Sequence, residues 1–183
     1  MYTLYIDTHF INLVLAIFKD DDIIVKKSLD SNFISKDTIP LIKECLDECN
    51  LNVNDINEII VISGPGSFTG VRIGIVIAKI FGYTLNISIK ALSYLEALSL
   101  NYDKEVILGV KDRNGAFIGE FDSNHNLIED YYYLSNKDLN DNIVFEDNVD
   151  LKKVKLFVKN KSTIEPHSLV PLYVKKIEVE EHD

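Results

Sequence analysis

Cysteine is nearly missing from this 183-residue sequence. Cys45 and Cys49, four residues apart in a helical pattern, are too few for a disulfide framework and complete no zinc site, so they read as structural thiols. Histidine is also sparse. His9, His125, His167 and His182 form neither an H-x-x-x-H nor an H-E-x-x-H pair, which excludes the familiar helical metal motifs. Positive charge is short too, 19 Lys and Arg against 29 Asp and Glu, for a net charge of −10. Nucleic-acid affinity comes from neutralising phosphates, so this balance argues against the chain supplying the main contacts to RNA. No stretch approaches the roughly 18–20 apolar residues of a membrane span, and no membrane partner is expected. The start, Met1 to Asp7, has no basic region ahead of its apolar run and no small-residue cleavage site; the expected compartment is the cytoplasm.

What is present is ordinary for a globular chain, 46% hydrophobic and 26% charged residues, enough for one domain or two small lobes with a normal core. Tyr2 to Ile6, Ile11 to Phe18 and Ile23 to Leu29 read as three β-runs in a meander, with the acidic turn Asp20-Asp21-Asp22 as a solvated hairpin. From Ser35 the period becomes helical through Ile39, Ile42, Leu46 and Cys49, with Ser35 or Asp37 as the cap and Pro40 placed in the first turn. Glu58 to Ser63 reads as a strand buried on both faces. A helix over Gly70 to Tyr83, a strand near Asn86 to Lys90 and a helix capped by Ser93 follow. Beyond Asp103, strands are expected at Glu105–Lys111, Ala116–Phe121 and Leu127–Leu134, with weaker ones at Ile143–Phe145 and Lys155–Val158. This order is α/β, but it does not begin by alternating as a doubly wound nucleotide fold does. It fits the ribonuclease H-like βββαβα core of the actin-like (ASKHA) superfamily. We therefore expect a first lobe over 1–103 and a reduced, mostly β second lobe over 104–183 whose end can return to the first.

Gly64-Pro65-Gly66-Ser67-Phe68-Thr69-Gly70-Val71-Arg72-Ile73-Gly74 is the most informative segment. Glycines that follow a buried strand and open a helix are where exposed amides and the helix dipole can hold an anion. Yet the spacing fits neither a P-loop nor G-x-G-x-x-G, and Pro65 and Thr69 exclude the Gly-x-Ser-x-Gly elbow around Ser67. A purely structural turn, with Ser67 or Thr69 capping the helix, is the other reading. Asp7 ends the first strand where actin-like ATPases place a carboxylate. Asp7, Gly64, Gly66 and Ser67 are thus candidates for a relic nucleotide site, with no catalytic residue and no metal ligand assigned.

The helix after the turn carries a second signal. Gly70, Gly74, Ala78 and Gly82 recur every four residues, forming one small-residue stripe, while Val71, Ile73, Ile75, Val76, Ile77, Ile80 and Phe81 surround it and only Arg72 and Lys79 are charged. Each helical glycine costs about 1 kcal/mol relative to alanine, so the stripe needs a compensating close contact. That contact is either a partner protein or the chain's own sheet.

Ile6-Asp7-Thr8 together with the Gly64–Gly74 segment closely resembles the TsaB (YeaZ) family. The likeness extends through Pro40-Leu41-Ile42 and, more faintly, to Arg113 and to Pro171-Leu172-Tyr173-Val174-Lys175. It departs where Ile34 and Ser35 replace the usual His-Ser or His-Thr, and where Lys111-Asp112-Arg113 replaces Asp-Ala-Arg. The resemblance implies a non-catalytic subunit that pairs with a TsaD-like catalytic protein and a TsaE-like ATPase in threonylcarbamoyl modification of the adenosine beside the tRNA anticodon. By that resemblance the chain binds no cofactor tightly, ATP and Mg²⁺ belong to the partners, tRNA is met only through the complex, and the isolated chain pairs with itself. The alternative is an actin-like ATP-binding enzyme acting alone. The expected pairing surface is built from Ile39, Ile42 and Leu46 of the first helix and Gly70, Arg72, Ile73, Gly74, Ile77, Ala78 and Phe81 of the second.

Overall fold

A computed structural model describes residues 1–174. Lys175 and the acidic tail Glu178, Glu180, Glu181 and Asp183, read from sequence as a solvated end, lie outside the described residues. The strands β1 (Tyr2–Asp7), β2 (Asn12–Lys19) and β3 (Asp22–Asp30) form the expected meander, and β4 (Ile56–Ile62) and β5 (Ser88–Leu92) add in parallel to the other edge of β1. The resulting order is β3-β2-β1-β4-β5. A second sheet, β8-β7-β6-β9, contains β6 (Val106–Lys111), β7 (Gly115–Phe121), β8 (Tyr132–Ser135) and β9 (Ile143–Phe145).

Period-2 alternation places the two faces of the first sheet in two cores. Leu4, Ile6, Leu15, Ile17, Ile59 and Val61 face the helices α1 (Ile34–Glu48) and α2 (Phe68–Leu85). Tyr5, Ala16, Phe18, Ile60 and Ile62 face α3 (Tyr94–Ser99), the second sheet and α4 (Leu151–Val158). The chain then returns to the first lobe: Ile164 N–H donates to Ile89 O, Leu169 is buried in the helix-side core, and Leu172 N–H donates to Ser63 O.

Three sequence expectations need correction. The segment Lys155–Val158 is the end of a helix, because the Asp150 side chain caps it by accepting from the Lys152 and Lys153 amides, and Leu151, Val154 and Val158 then share one buried face. Within Leu127–Leu134 only Tyr132 onward is in a strand. The Asp122 carboxylate turns the preceding chain by accepting from the Asn124 and Asn126 amides, leaving a single bridge at Leu127. The first helix starts at Ile34, so Pro40 sits in its second turn, and neither Ser35 nor Asp37 caps it. Ser31 does the local work, accepting from the Phe33 amide at 2.8 Å and donating to Asp37 at 2.5 Å.

That register shift sets the buried stripe of α1 to Thr38, Leu41, Ile42, Cys45 and Leu46. Burial pushes the Cys45 thiol up to about 11 and also raises the partly exposed Cys49. Both remain protonated at neutral pH, and a thiol-specific reagent is expected to label Cys49 before Cys45. Equal labelling rates in the folded chain would contradict this placement.

Candidate functional site

Two surfaces carry the sequence signals. The first is the cleft between the lobes, a cavity of about 620 Å³ lined by the end of β1, the faces of β2 and β3, the start of α3, β6 and the chain from Phe145 to Leu151. Asp7 and His9 lie at its floor, 3% and 5% exposed. Asp7 Oδ1 accepts from the His9 amide at 3.1 Å and from its Nδ1 at 2.5 Å, while Oδ2 accepts from the Tyr5 hydroxyl at 3.4 Å. The His9 ring stacks on Tyr94 with centroids 3.7 Å apart and meets Phe10 edge-on. Both tyrosine phenols are pushed above their usual range, by burial first and then by the negative charge of Asp7.

The second surface is α2 and its entry turn. Ser67 is the N-cap, accepting from the Gly70 amide at 3.3 Å. The turn wraps the Thr8–His9 loop: Ser67 N–H donates to His9 O at 2.7 Å, and any side chain at Gly66 would meet that same carbonyl. Thr8 Oγ donates to Gly70 O at 2.7 Å and accepts from the Gly74 amide at 3.2 Å. These backbone groups are therefore committed within the chain. Gly66 and Ser67 thus pack against the loop that follows Asp7, but neither they nor Gly64 line the cavity that Asp7 enters.

The small-residue stripe also has its cover. A Cβ at Gly74 would lie 2.5 Å from Thr8 Oγ and 3.6 Å from Ile6 and Val61, one at Gly70 would strike Thr8 O, and one at Gly82 would strike Ile89. The close contact that the stripe requires is with β1, β4 and β5 of the same chain, which corrects its reading as the pairing surface. Ile42, Leu46, Gly70, Gly74, Ile77 and Ala78 are buried in the monomer. Ile39 and Arg72 are exposed, and Ile73 and Phe81 are half-buried.

The exposed apolar face of α2 lies on the opposite side. Ile73, Val76, Ile80 and Tyr83 recur at 3–4–3 spacing, with Val76 51%, Ile80 52% and Tyr83 69% exposed, and Ile39 on the neighbouring α1 is 49% exposed. At 18 residues and mean hydropathy 1.4, α2 is, among the described residues, the one helix long and apolar enough to cross a bilayer, contrary to the sequence expectation that no stretch comes near. Here its small-residue stripe is docked on the sheet.

The terminal Pro171–Val174 segment completes this surface. Arg72 lies over the Phe68 ring at 3.6 Å and its Nε donates to the Tyr173 hydroxyl at 2.6 Å, so the C-terminal Tyr pins the first turn of α2. Lys79 Nζ donates to Leu169 O at 3.2 Å one face away. Sequence reasoning passed over His9 and Tyr94. The Asp7-x-His9 spacing at a strand end is a local signal for the first, whereas nothing near Ser93-Tyr94 announces that its ring will stack on His9.

The comparisons with known proteins fit this geometry. The family model described as TsaD, tRNA N6-adenosine threonylcarbamoyltransferase, matches residues 31–119. The tRNA threonylcarbamoyladenosine biosynthesis protein TsaB of Bacillus subtilis (strain 168) is 38% identical over 103 residues, 55% of this chain and 44% of the relative. That of Buchnera aphidicola subsp. Schizaphis graminum (strain Sg) is 31% identical over 134 residues, 68% and 62%. YeaZ from Pseudomonas aeruginosa superposes with TM-score 0.78 over 94% of this chain and all of its own, at 16% identity. The chain belongs to the TsaB (YeaZ) family. The aligned segments span about half of the Bacillus TsaB and under two thirds of the Buchnera one, and the YeaZ likeness carries the actin-like fold. The match with TsaD runs from the loop before α1 into β7, the part of the molecule that contains both α1 and α2.

Proposed function

We propose that this TsaB-family chain is a non-catalytic partner subunit in the making of tRNA threonylcarbamoyladenosine, pairing with a TsaD-like catalytic chain and working with a TsaE-like ATPase. The observation that carries the reading is the exposed apolar face of α2, Ile73-Val76-Ile80-Tyr83, beside Ile39 of α1. It is a continuous row on a helix whose opposite side is already packed, the pattern that a helix-on-helix interface covers. With a net charge of −10, the chain meets tRNA through the complex. Nucleotide and Mg²⁺ are assigned to the partner subunits, the cytoplasm is the compartment, and in isolation the same face pairs two copies of the chain.

The test is reconstitution. A TsaD-like protein, a TsaE-like ATPase, threonylcarbamoyl-AMP and unmodified tRNA are expected to yield modified adenosine when this chain is added and little without it. Equal yields in both would refute the role. The alternative, an autonomous ATP-binding enzyme, draws on the cavity and on Asp7 at its floor. Against it, both Asp7 oxygens are engaged by His9 and Tyr5, and the glycine turn lies outside the cavity. Calorimetry of the isolated chain with Mg-ATP is expected to give no binding heat. Submillimolar binding lost in Asp7→Ala would favour the alternative.

A further inference from the structure

The interlobe cleft has a feature that the pairing reading leaves unused. His9 is 95% buried, and its Nδ1–H is committed to Asp7 at 2.5 Å, yet its Nε2 has no partner among the described residues and is not sealed from solvent. That nitrogen faces the cavity which His9 lines. An imidazole edge held in this way calls for a ligand group to satisfy it. In the tautomer whose Nδ1–H donates to the Asp7 carboxylate, Nε2 carries the lone pair, and a ligand group that meets it there donates a hydrogen bond.

The charge of the site decides what the donor is. Three carboxylates, Asp7, Glu146 and Asp147, border the cavity against Lys26 and Lys111. Both lysines are exposed, and Lys111 holds its ammonium over the Phe145 ring at 4.7 Å, whereas Asp7 is buried and so little screened by solvent. The floor is accordingly negative. Asn12, Ser28 and Asn148 also line the cavity, and Phe10, Val14 and Val110 supply hydrocarbon that suits an apolar body.

We propose that the cleft binds a small organic ammonium, its N–H donating to His9 Nε2, its charge facing Asp7 and Asp147, and its apolar body lying against Phe10, Val14 and Val110. The experiment uses the full chain and two probes of the same shape and opposite sign, benzylamine and benzoate, at neutral pH without divalent cations. Binding is read by calorimetry and by the His9 imidazole NMR signals. Benzylamine is expected to bind with a Kd on the order of 1 mM or tighter, as its size allows, and to shift those signals. Benzoate is expected to bind at least about tenfold more weakly. His9→Phe, which keeps a ring against Tyr94 but removes Nε2, should abolish benzylamine binding. Asp147→Asn, an exposed change that leaves the fold intact, should weaken it about threefold, the scale of an exposed charge contact. Benzoate binding as well as benzylamine, unchanged binding in Asp147→Asn or in folded His9→Phe, or unmoved His9 signals at saturating probe would each overturn the proposal.

Discussion

Lys155→Met is expected to lower the stability of the folded chain by about 3–5 kcal/mol, because it leaves a buried carboxylate without its cation. Lys155 is 1% exposed; its ammonium donates to Glu58 at 2.7 Å and to Thr3 Oγ at 2.8 Å, and Thr3 in turn donates to Glu58 at 3.2 Å. The lysine comes from α4 and the acceptors from β4 and β1, so the pair ties α4 to the face of the first sheet that carries Tyr5 and Ile60. In a chain of this size the loss corresponds to a fall in Tm of roughly 10 °C. Replacing both partners with apolar residues, Lys155→Met with Glu58→Leu, should recover most of it, since no uncompensated charge then remains. Thermal unfolding of the single and double variants checks both halves. A double variant no more stable than the single would mean that the lysine acts by packing its stem and not by its charge.

Gly70→Ala is the second large effect. Alanine would ordinarily gain about 1 kcal/mol inside a helix. Here the added methyl would meet the backbone carbonyl of Thr8, which cannot rotate away, and we expect a net loss of about 1–3 kcal/mol in denaturant unfolding. Gly74→Leu should lose more, since even its Cβ would lie 2.5 Å from Thr8 Oγ and the rest of the side chain would enter the space of Ile6 and Val61. A broken complex in Gly74→Leu would therefore report a damaged fold and not a damaged interface. Val76→Ala, on the exposed side of the same helix, should stay within about 0.5 kcal/mol of the parent. A neutral or stabilising Gly70→Ala would contradict the close packing of α2 on β1.

Much of this was legible in the sequence, and the particular residues show why. The three-strand meander, the buried strand before Gly64 and the caps at Ser67 and Ser93 follow from local period and capping chemistry, and the structure has each of them. The small-residue stripe was legible as a demand for close contact, but its partner was not, because spacing records that something approaches and not what. Thr8, two residues beyond Ile6, is the answer only once β1 lies under α2. The helix at Leu151–Val158 was misread because Leu156-Phe157-Val158 is a short apolar run of the kind a buried strand shows, and because a lysine at a buried helical position makes sense only with Glu58, 97 residues away, in view. His9 and Tyr94 meet for the same reason, across two elements distant in sequence.

The cleft and α2 share one short loop. His9 turns its ring into the cavity while its carbonyl holds Ser67, and Thr8 beside it holds Gly70 and Gly74, so the floor of the cleft and the first two turns of α2 are set by the same two residues. This accounts for why Ile6-Asp7-Thr8 and Gly64–Gly74, far apart in the chain, carry the family likeness together.

The most direct test of the account is the affinity of this chain for a TsaD-like protein when the exposed face of α2 is made acidic. Val76→Asp with Ile80→Asp is expected to leave Tm nearly unchanged and to weaken the complex by at least about a hundredfold, the cost of burying two unpaired carboxylates in an apolar contact. A complex that forms with parental affinity while carrying both aspartates would contradict the placement of the pairing surface on this face.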